Sequence, residues 1–338
     1  MESFYRLILK KAFWLTWKNR WLWVLGFFAA IIGNGGVYEA LIRGFNNISE
    51  GRSVFNTFQE YVQSGIFGML SWAKLDALWQ SDSSAFGVTI FTLLTILCVL
   101  AVMITLGVIG QGAVISGVIG LDEKEPMKLK SSFRMGVDRF WPVLEINVIT
   151  KVILLGFLLM IAYFASLIVS SVSAVNIFVY VLSFIIFLIL GIVIYFLTIY
   201  GTAYVILRRK SVREALWSAW HLFRRHVLLN LEMGLILFIL NVVTATLFFA
   251  GCFVLLSPLF VLYFLFLVAG SEVVVSILMA VMVLLFVVMM LLVGSWWSTF
   301  QLGVWALLFE KLELSGGKSK VLRLYEHFLK LIKPSRIK

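Results

Sequence analysis

Three charged side chains lie inside long apolar stretches of this sequence: Glu145, Lys151 and Glu232. Because a charge buried in hydrocarbon is costly unless it is paired or hydrated, each is a candidate functional residue. Sliding the sequence by 83 residues places Lys151 level with Gly234, two residues from Glu232. We therefore predict an ion pair between Lys151 and Glu232. The alternative is that each side chain reaches the membrane surface separately.

The other residues with potential chemistry do not form a recognisable set. His221, His226 and His327 lie in basic segments without metal-ligand spacing. Cys98 and Cys252 lie in apolar stretches, where a thiol behaves as a small hydrophobic group. The sequence contains no nucleophile elbow, Walker loop or dinucleotide-binding glycine pattern at a strand-to-helix turn. We predict no catalytic residue, no metal site and no cofactor, and hence a protein that is not an enzyme.

The composition indicates a membrane protein. Of the 338 residues, 62% are hydrophobic and 13% are charged, and the mean hydropathy is +1.03. Such a chain lacks the polar residues needed to cover a soluble globule. Its net charge of +11 comes from basic residues that flank the apolar stretches. This pattern favours contact with anionic lipid head groups rather than with nucleic acid.

The apolar stretches predict an all-α bundle of six transmembrane helices, arranged as three hairpins that each run from the inside to the outside. All but three of the 28 lysines and arginines then lie on the cytoplasmic side, which places both termini there. The three exceptions are Arg43, Arg52 and Lys74. The predicted spans are residues 21–42, 85–119, 142–169, 177–207, 227–270 and 273–309, the fifth being one span broken or kinked near Pro258.

Amphipathic segments accompany these spans. In residues 208–230, one helical face carries Val212, Leu216, Ala219, Trp220 and Phe223, which suits a helix lying in a membrane surface. A second such helix precedes the third span, where Phe133, Val137, Phe140 and Trp141 share a face. The aromatic residues of the outer loop, residues 43–84, predict helices that rest on the outer leaflet or cap the bundle; the alternative is a lid over a substrate.

The predicted domain organisation is one six-span membrane domain, residues 1–310, followed by a basic amphipathic tail, residues 311–338. Lys320, Arg323, Lys330 and Lys333 lie opposite the apolar face of the tail. We predict that these four side chains contact anionic lipid head groups on the cytoplasmic side.

Small residues recur in the inner half of the second span. Gly112, Ser116 and Gly120 are spaced four apart and share one helical face. Such a stripe lets a neighbouring helix approach closely, so we predict a helix-packing surface. The alternative interpretation is the lining of a pore.

Internal repetition is suggested by two offsets. An offset of 83 aligns Phe140 with Phe223 and Asn147 with Asn230, and an offset of 203 aligns residues 14–17 with residues 217–220. Common ancestry and chance matching in an aromatic-rich sequence both explain these matches. The three predicted hairpins are parallel, unlike the inverted repeats of many secondary transporters.

One region carries a family resemblance. Gly201, Ala203, Tyr204 and Val205, followed by a basic turn and residues 211–220 (Ser-Val-Arg-Glu-Ala-Leu-Trp-Ser-Ala-Trp), resemble the membrane domain found beside the catalytic barrel in some bacterial glycerophosphodiester phosphodiesterases, and related stand-alone six-helix families of unassigned role. The resemblance covers mainly residues 131–250, and the barrel itself is missing. It implies a helical domain of the bacterial inner membrane that accompanies other activities.

Two functions from different classes remain open. We favour a non-catalytic membrane scaffold or accessory protein that acts through contacts with lipid or with a membrane or cytoplasmic protein partner. The alternative is a transporter or channel for a small or amphipathic solute, suggested by the glycine-rich inner half of the second span. An intramembrane enzyme acting on lipid is the least favoured possibility.

Overall fold

The structure is a computed structural model that describes residues 4–33, 72–170 and 173–314. Every regular element in these ranges is an α-helix. The helices are α1 (Phe4–Lys18), α2 (Trp21–Ile32), α3 (Trp72–Ser81), α4 (Ser83–Asp122), α5 (Leu129–Asp138), α6 (Phe140–Ser170), α7 (Ala174–Leu207), α8 (Val212–Arg225), α9 (Val227–Val268) and α10 (Glu272–Leu314).

Five of the described helices, α4, α6, α7, α9 and α10, are long and apolar enough to cross a membrane. Their positions match the second to sixth predicted spans. The first predicted span, residues 21–42, is described only as far as Gly33, and its helix α2 is apolar but only 12 residues long. At 1.5 Å per residue, α2 covers about 18 Å, less than the ~30 Å hydrocarbon core.

The outer loop is described only from residue 72 onward, where α3 precedes α4. Asp82 caps α4 by accepting hydrogen bonds from the backbone N–H groups of Ser84 and Ala85. The Ser84 hydroxyl also donates to this carboxylate, and these bonds lower the pKa of Asp82. Removing the Asp82 side chain would leave the first turn of α4 without its cap.

The sequence predicted one span that is broken or kinked near Pro258; the structure has a single helix, α9, that is not broken there. A proline inside a helix lacks the N–H that would bond the carbonyl four residues earlier, here that of Val254. The hydroxyl of Ser257 donates to this carbonyl at 2.8 Å. Because the serine replaces the lost donor, the helix continues.

The short helices α1, α5 and α8 pack at one end of the bundle, which we call the packed end. Helix α1 packs on α10, α5 on α4, and α8 on α7. The same end holds α2, which lies between α4 and α10. The N-terminal and C-terminal ends of the described chain meet here, since the Lys311 Nζ lies 5.5 Å from the Phe4 ring centroid.

Burial is concentrated at the packed end. Residues 107–120 of α4 are all buried, and most buried residues of α7 and α10 lie near their C-terminal ends. The halves of the long helices that lie away from the packed end expose large apolar side chains, including Phe91 (72% exposed) and Phe253 (73% exposed). The exposed apolar part of α4, residues 86–104, has about the length that a bilayer core requires.

The buried faces of α5 and α8 differ from the predicted apolar faces. In α8 the buried residues are Ala215, Ala219, Leu222 and Phe223, whereas Trp220 is exposed. In α5 they are Ser132 and Gly136. Small residues face the long helices because they permit close helix contact, a requirement that hydrophobicity alone does not reveal.

The predicted boundary between membrane domain and tail, at residue 310, lies inside helix α10. Helix α10 continues without interruption to Leu314. The tail residues Lys320, Arg323, Lys330 and Lys333 lie outside the described residues.

Candidate functional site

The three short helices contact the long helices through equivalent pairs of small residues. These pairs are Ala12 and Thr16 in α1, Ser132 and Gly136 in α5, and Ala215 and Ala219 in α8. All six are buried, five of them with 0% exposure. The pairs are related by the offsets of 83 and 203 residues found in the sequence. The repeat therefore extends to the residues that dock each short helix.

Helices α4 and α5 meet most closely at Gly136. A Cβ atom added there would lie 2.4 Å from the backbone oxygen of Ile109. A Cβ added at Gly112 of α4 would lie 3.3 Å from the Cα of Gly136 and 2.8 Å from the Cδ1 of Ile206 in α7. Gly112 therefore lies in a contact among three helices.

The other two residues of the predicted stripe are also enclosed by protein. Ser116 is buried, and its hydroxyl donates to the backbone oxygen of Ala113. Gly120 lies against the turn that precedes α5, where a Cβ would stand 2.6 Å from the Cγ of Met127. These positions agree with helix packing as the use of this surface.

The close contacts of α2 were not predicted from the sequence. A Cβ added at Gly26 would lie 2.7 Å from the Ser295 backbone oxygen of α10, and one at Gly110 would lie 2.7 Å from the Leu25 backbone oxygen. The Thr299 hydroxyl of α10 donates to the Leu22 carbonyl at 3.2 Å. The glycines were visible in the sequence, but a glycine in an apolar stretch does not identify its neighbour.

Lys151 and Glu232 do not form the predicted ion pair. The Lys151 Nζ donates to the Ile32 carbonyl at the end of α2, at 2.7 Å. The Glu232 carboxylate accepts a hydrogen bond from the Tyr5 hydroxyl of α1. The sequence offset predicted similar depths for the two residues but could not give their neighbours: α6 packs mainly on α7 and α4, whereas α9 packs mainly on α10. Glu145, the third candidate, is exposed.

Buried amides and hydroxyls connect the long helices. The Asn147 Nδ2 of α6 donates to the Gln111 Oε1 of α4 at 2.9 Å. The Tyr200 hydroxyl of α7 donates to the Asn230 Oδ1 of α9 at 2.5 Å. Asn147 is 3% exposed, and Asn230 and Tyr200 are fully buried. Asn147 and Asn230 occupy positions that the 83-residue offset makes equivalent. Each joins its own helix to a helix of the preceding predicted hairpin.

Arg208 links the end of α7 to the end of α10. Its Nε donates to the Glu313 carboxylate at 2.7 Å, and one of its terminal nitrogens lies 3.1 Å from the Glu310 carboxylate. The hydrogen bond that Arg208 donates to Glu313 is the main cause of the raised pKa of Arg208. Lys210, in the same turn, donates to the Ser218 hydroxyl at 2.9 Å and lies 4.4 Å from the Tyr204 ring centroid.

A second ion pair, between Lys11 of α1 and Asp122, joins the N-terminal helix to the end of α4. His226 lies between α8 and α9, where burial and the neighbouring Arg225 lower its pKa. Within the described ranges, no three His, Cys, Asp or Glu side chains are close enough to hold a metal ion. Cys98 is exposed and Cys252 is buried, and both are free thiols.

These contacts define the packed end as the candidate functional site: a layer in which short amphipathic helices and buried polar side chains connect the long helices. No protein-family model, curated protein or solved structure matches the chain.

Proposed function

We propose that the chain is a non-catalytic integral membrane scaffold or accessory protein that acts through contacts with lipid or with a protein partner. The observation that carries this proposal is the use of the polar residues at the packed end. Gln111, Asn147, Tyr200, Asn230 and Lys151 donate or accept hydrogen bonds between helices. Such bonds give the bundle a defined arrangement, which is what a scaffold requires.

The membrane orientation belongs to the same proposal. Exposed lysines and arginines accompany all three short helices, among them Lys18, Lys130 and Arg224. Since cytoplasmic segments of membrane proteins are enriched in Lys and Arg, the packed end faces the cytoplasm. The contact of Lys311 with Phe4 supports the assignment of both ends of the described chain to that side.

A sixth crossing completes the topology. Ile32 lies against Gly107 of α4, where a Cβ would be 2.7 Å from the Ile32 Cγ1. At the other end, Trp79 of α3 lies 5.1 Å from Phe86. Gly107 follows Phe86 by 21 positions, which corresponds to about 32 Å of helix. The chain on either side of residues 34–71 thus lies at two depths separated by about one bilayer core.

The glycine-rich segment of α4 supports the scaffold over the transporter. Residues 107–120 suggested a pathway for solute in the sequence, but Gly107 and Gly110 face α2, and Gly112 faces α5 and α7. The resemblance to a membrane domain that accompanies a catalytic barrel also fits an accessory role in a bacterial inner membrane.

The proposal is tested by purifying the full chain from its native membrane in a mild detergent and again after delipidation. We expect the mild preparation to retain a stoichiometric protein partner or bound anionic lipid, and delipidation to release it. A protein that stays monodisperse and partner-free under both conditions would count against the scaffold. Solute uptake by reconstituted vesicles would instead support the transporter.

A further inference from the structure

Helices α1 and α8 expose the same stripe of residues. In α1 the stripe is Lys10, Trp14 and Trp17, and in α8 it is Arg213, Trp217 and Trp220. Both follow the spacing i, i+4, i+7, so each stripe occupies one helical face. The offset of 203 residues relates all three positions. In each helix the stripe lies opposite the buried pair of small residues that contacts the long helix.

The tryptophans of these stripes keep a large part of their surface outside the bundle. Trp14, Trp17, Trp217 and Trp220 are 50%, 44%, 74% and 38% exposed. Leaving so much aromatic surface in water is unfavourable. Tryptophan beside a basic residue is typical of the membrane–water interface, where the ring enters the head-group layer and the charge remains hydrated.

Ring contacts place both stripes at the level where the exposed apolar segments end. The Trp17 ring lies 6.2 Å from the Trp296 ring of α10, and Leu292, one turn further out, is 55% exposed. The Trp220 ring lies 6.3 Å from Phe223, which stacks on Phe196 of α7 at 5.1 Å. In α7 the large exposed apolar side chains lie N-terminal to Phe196, on the side away from the packed end.

We propose that these two stripes bind the head-group layer of an anionic membrane leaflet. The inference rests on the proposed membrane function and adds to it the surface and the ligand. The tryptophan rings fix the depth of α1 and α8, and Lys10 and Arg213 select negatively charged head groups. The equivalent positions of α5 are Lys130, Arg134 and Val137, so α5 has the charges without the tryptophan pair.

Spin labelling tests the depth of the stripes. In full-length protein with Cys98→Ala and Cys252→Ala, a nitroxide is attached to a cysteine replacing Trp14, Trp217 or, as a control, Glu125, an exposed residue of the polar turn between α4 and α5. The protein is reconstituted in phosphatidylglycerol–phosphatidylcholine vesicles. We expect labels at positions 14 and 217 to collide more with oxygen than with a water-soluble nickel chelate, and the label at 125 to show the reverse. Labels at 14 and 217 that resemble the label at 125 would overturn the proposal.

A second measurement tests the selection of anionic lipid. Native mass spectrometry counts the phosphatidylglycerol retained by protein extracted from vesicles containing equal amounts of both lipids. Each cationic side chain near an anionic surface contributes about 1 kcal/mol, equivalent to about five-fold in affinity. We expect the combined substitution of Lys10→Gln and Arg213→Gln to reduce the preference for phosphatidylglycerol over phosphatidylcholine by about five-fold at each stripe. The matched control, Lys124→Gln with Lys128→Gln, removes two charges from the α4–α5 turn and should change this lipid preference less. Equal losses in the two variants would contradict a specific role of the stripes.

The two inferences fail separately. Water-exposed labels would remove the head-group contact and leave the scaffold proposal standing. Solute uptake by reconstituted vesicles in which the stripes lie at head-group depth would instead contradict the scaffold and leave the head-group contact standing.

Discussion

Gly136 of α5 lies against the backbone of Ile109 in α4, so closely that a Cβ at position 136 would stand 2.4 Å from the Ile109 carbonyl oxygen. The obstacle is a helix backbone, which cannot move aside as a flexible side chain could. We expect Gly136→Ala to lower the free energy of unfolding by about 1–3 kcal/mol, although alanine is the better helix former.

The control for this substitution is Gly156→Ala. Gly156 lies in α6, and a Cβ added there would have no atom of the described residues within 4 Å beyond its own stretch of helix. The substitution should therefore be neutral or slightly stabilising. Unfolding of both variants in the same detergent makes the comparison, and equal stabilities would contradict the close contact of α4 with α5.

The hydrogen bond between Tyr200 and Asn230 predicts a specific coupling. Tyr200→Phe removes the donor and leaves the buried Asn230 Oδ1 without it, which should cost about 1–3 kcal/mol. Asn230→Leu should also destabilise. The double variant should lose less than the sum, because it leaves neither polar group unsatisfied. Strictly additive effects in the double-mutant cycle would argue against the bond.

The Arg208 ion pairs predict a small, salt-dependent effect. The Arg208 side chain is 35% exposed, so its attraction to Glu310 and Glu313 is partly screened by solvent. Arg208→Gln should lower stability by about 0.2–1 kcal/mol at low ionic strength and by less at high salt. Arg209→Gln, which removes an exposed charge from the same turn, is the control. A loss that does not change with salt would indicate packing rather than charge.

His226 predicts a dependence on pH. Burial and Arg225 lower its pKa from the usual 6.5. The unfolded chain therefore binds the proton more readily, and stability contributed by neutral His226 is lost as the pH falls through and below about 6.5. His226→Gln should reduce the loss of thermal stability between about pH 7.5 and pH 5.5. If the two proteins lose stability in parallel, His226 does not contribute.

Hydropathy located the long helices because a bilayer imposes about 20 apolar residues on each. It did not identify their contacts. The predicted apolar face of α8 merged two surfaces, a protein-facing one with Ala219 and an exposed one with Trp220. Both are apolar, so hydrophobicity cannot separate them; residue size does, because only small side chains permit close helix contact.

The partners of the charged residues could not be predicted from the repeat. The offset predicted similar depths for Lys151 and Glu232, but the packing of the helices gave them Ile32 and Tyr5 as partners. Asn147 and Asn230 each join two helices, since a buried amide needs a partner wherever its helix lies.

The most direct test of the scaffold is the composition of the native complex. The full chain is extracted from its own membrane in polymer-bounded nanodiscs, without detergent, and the proteins and lipids of each disc are quantified by mass spectrometry. The account predicts a protein partner at fixed stoichiometry, or anionic lipid enriched over the surrounding membrane. Discs that hold this chain alone, in lipid of bulk composition, would contradict it.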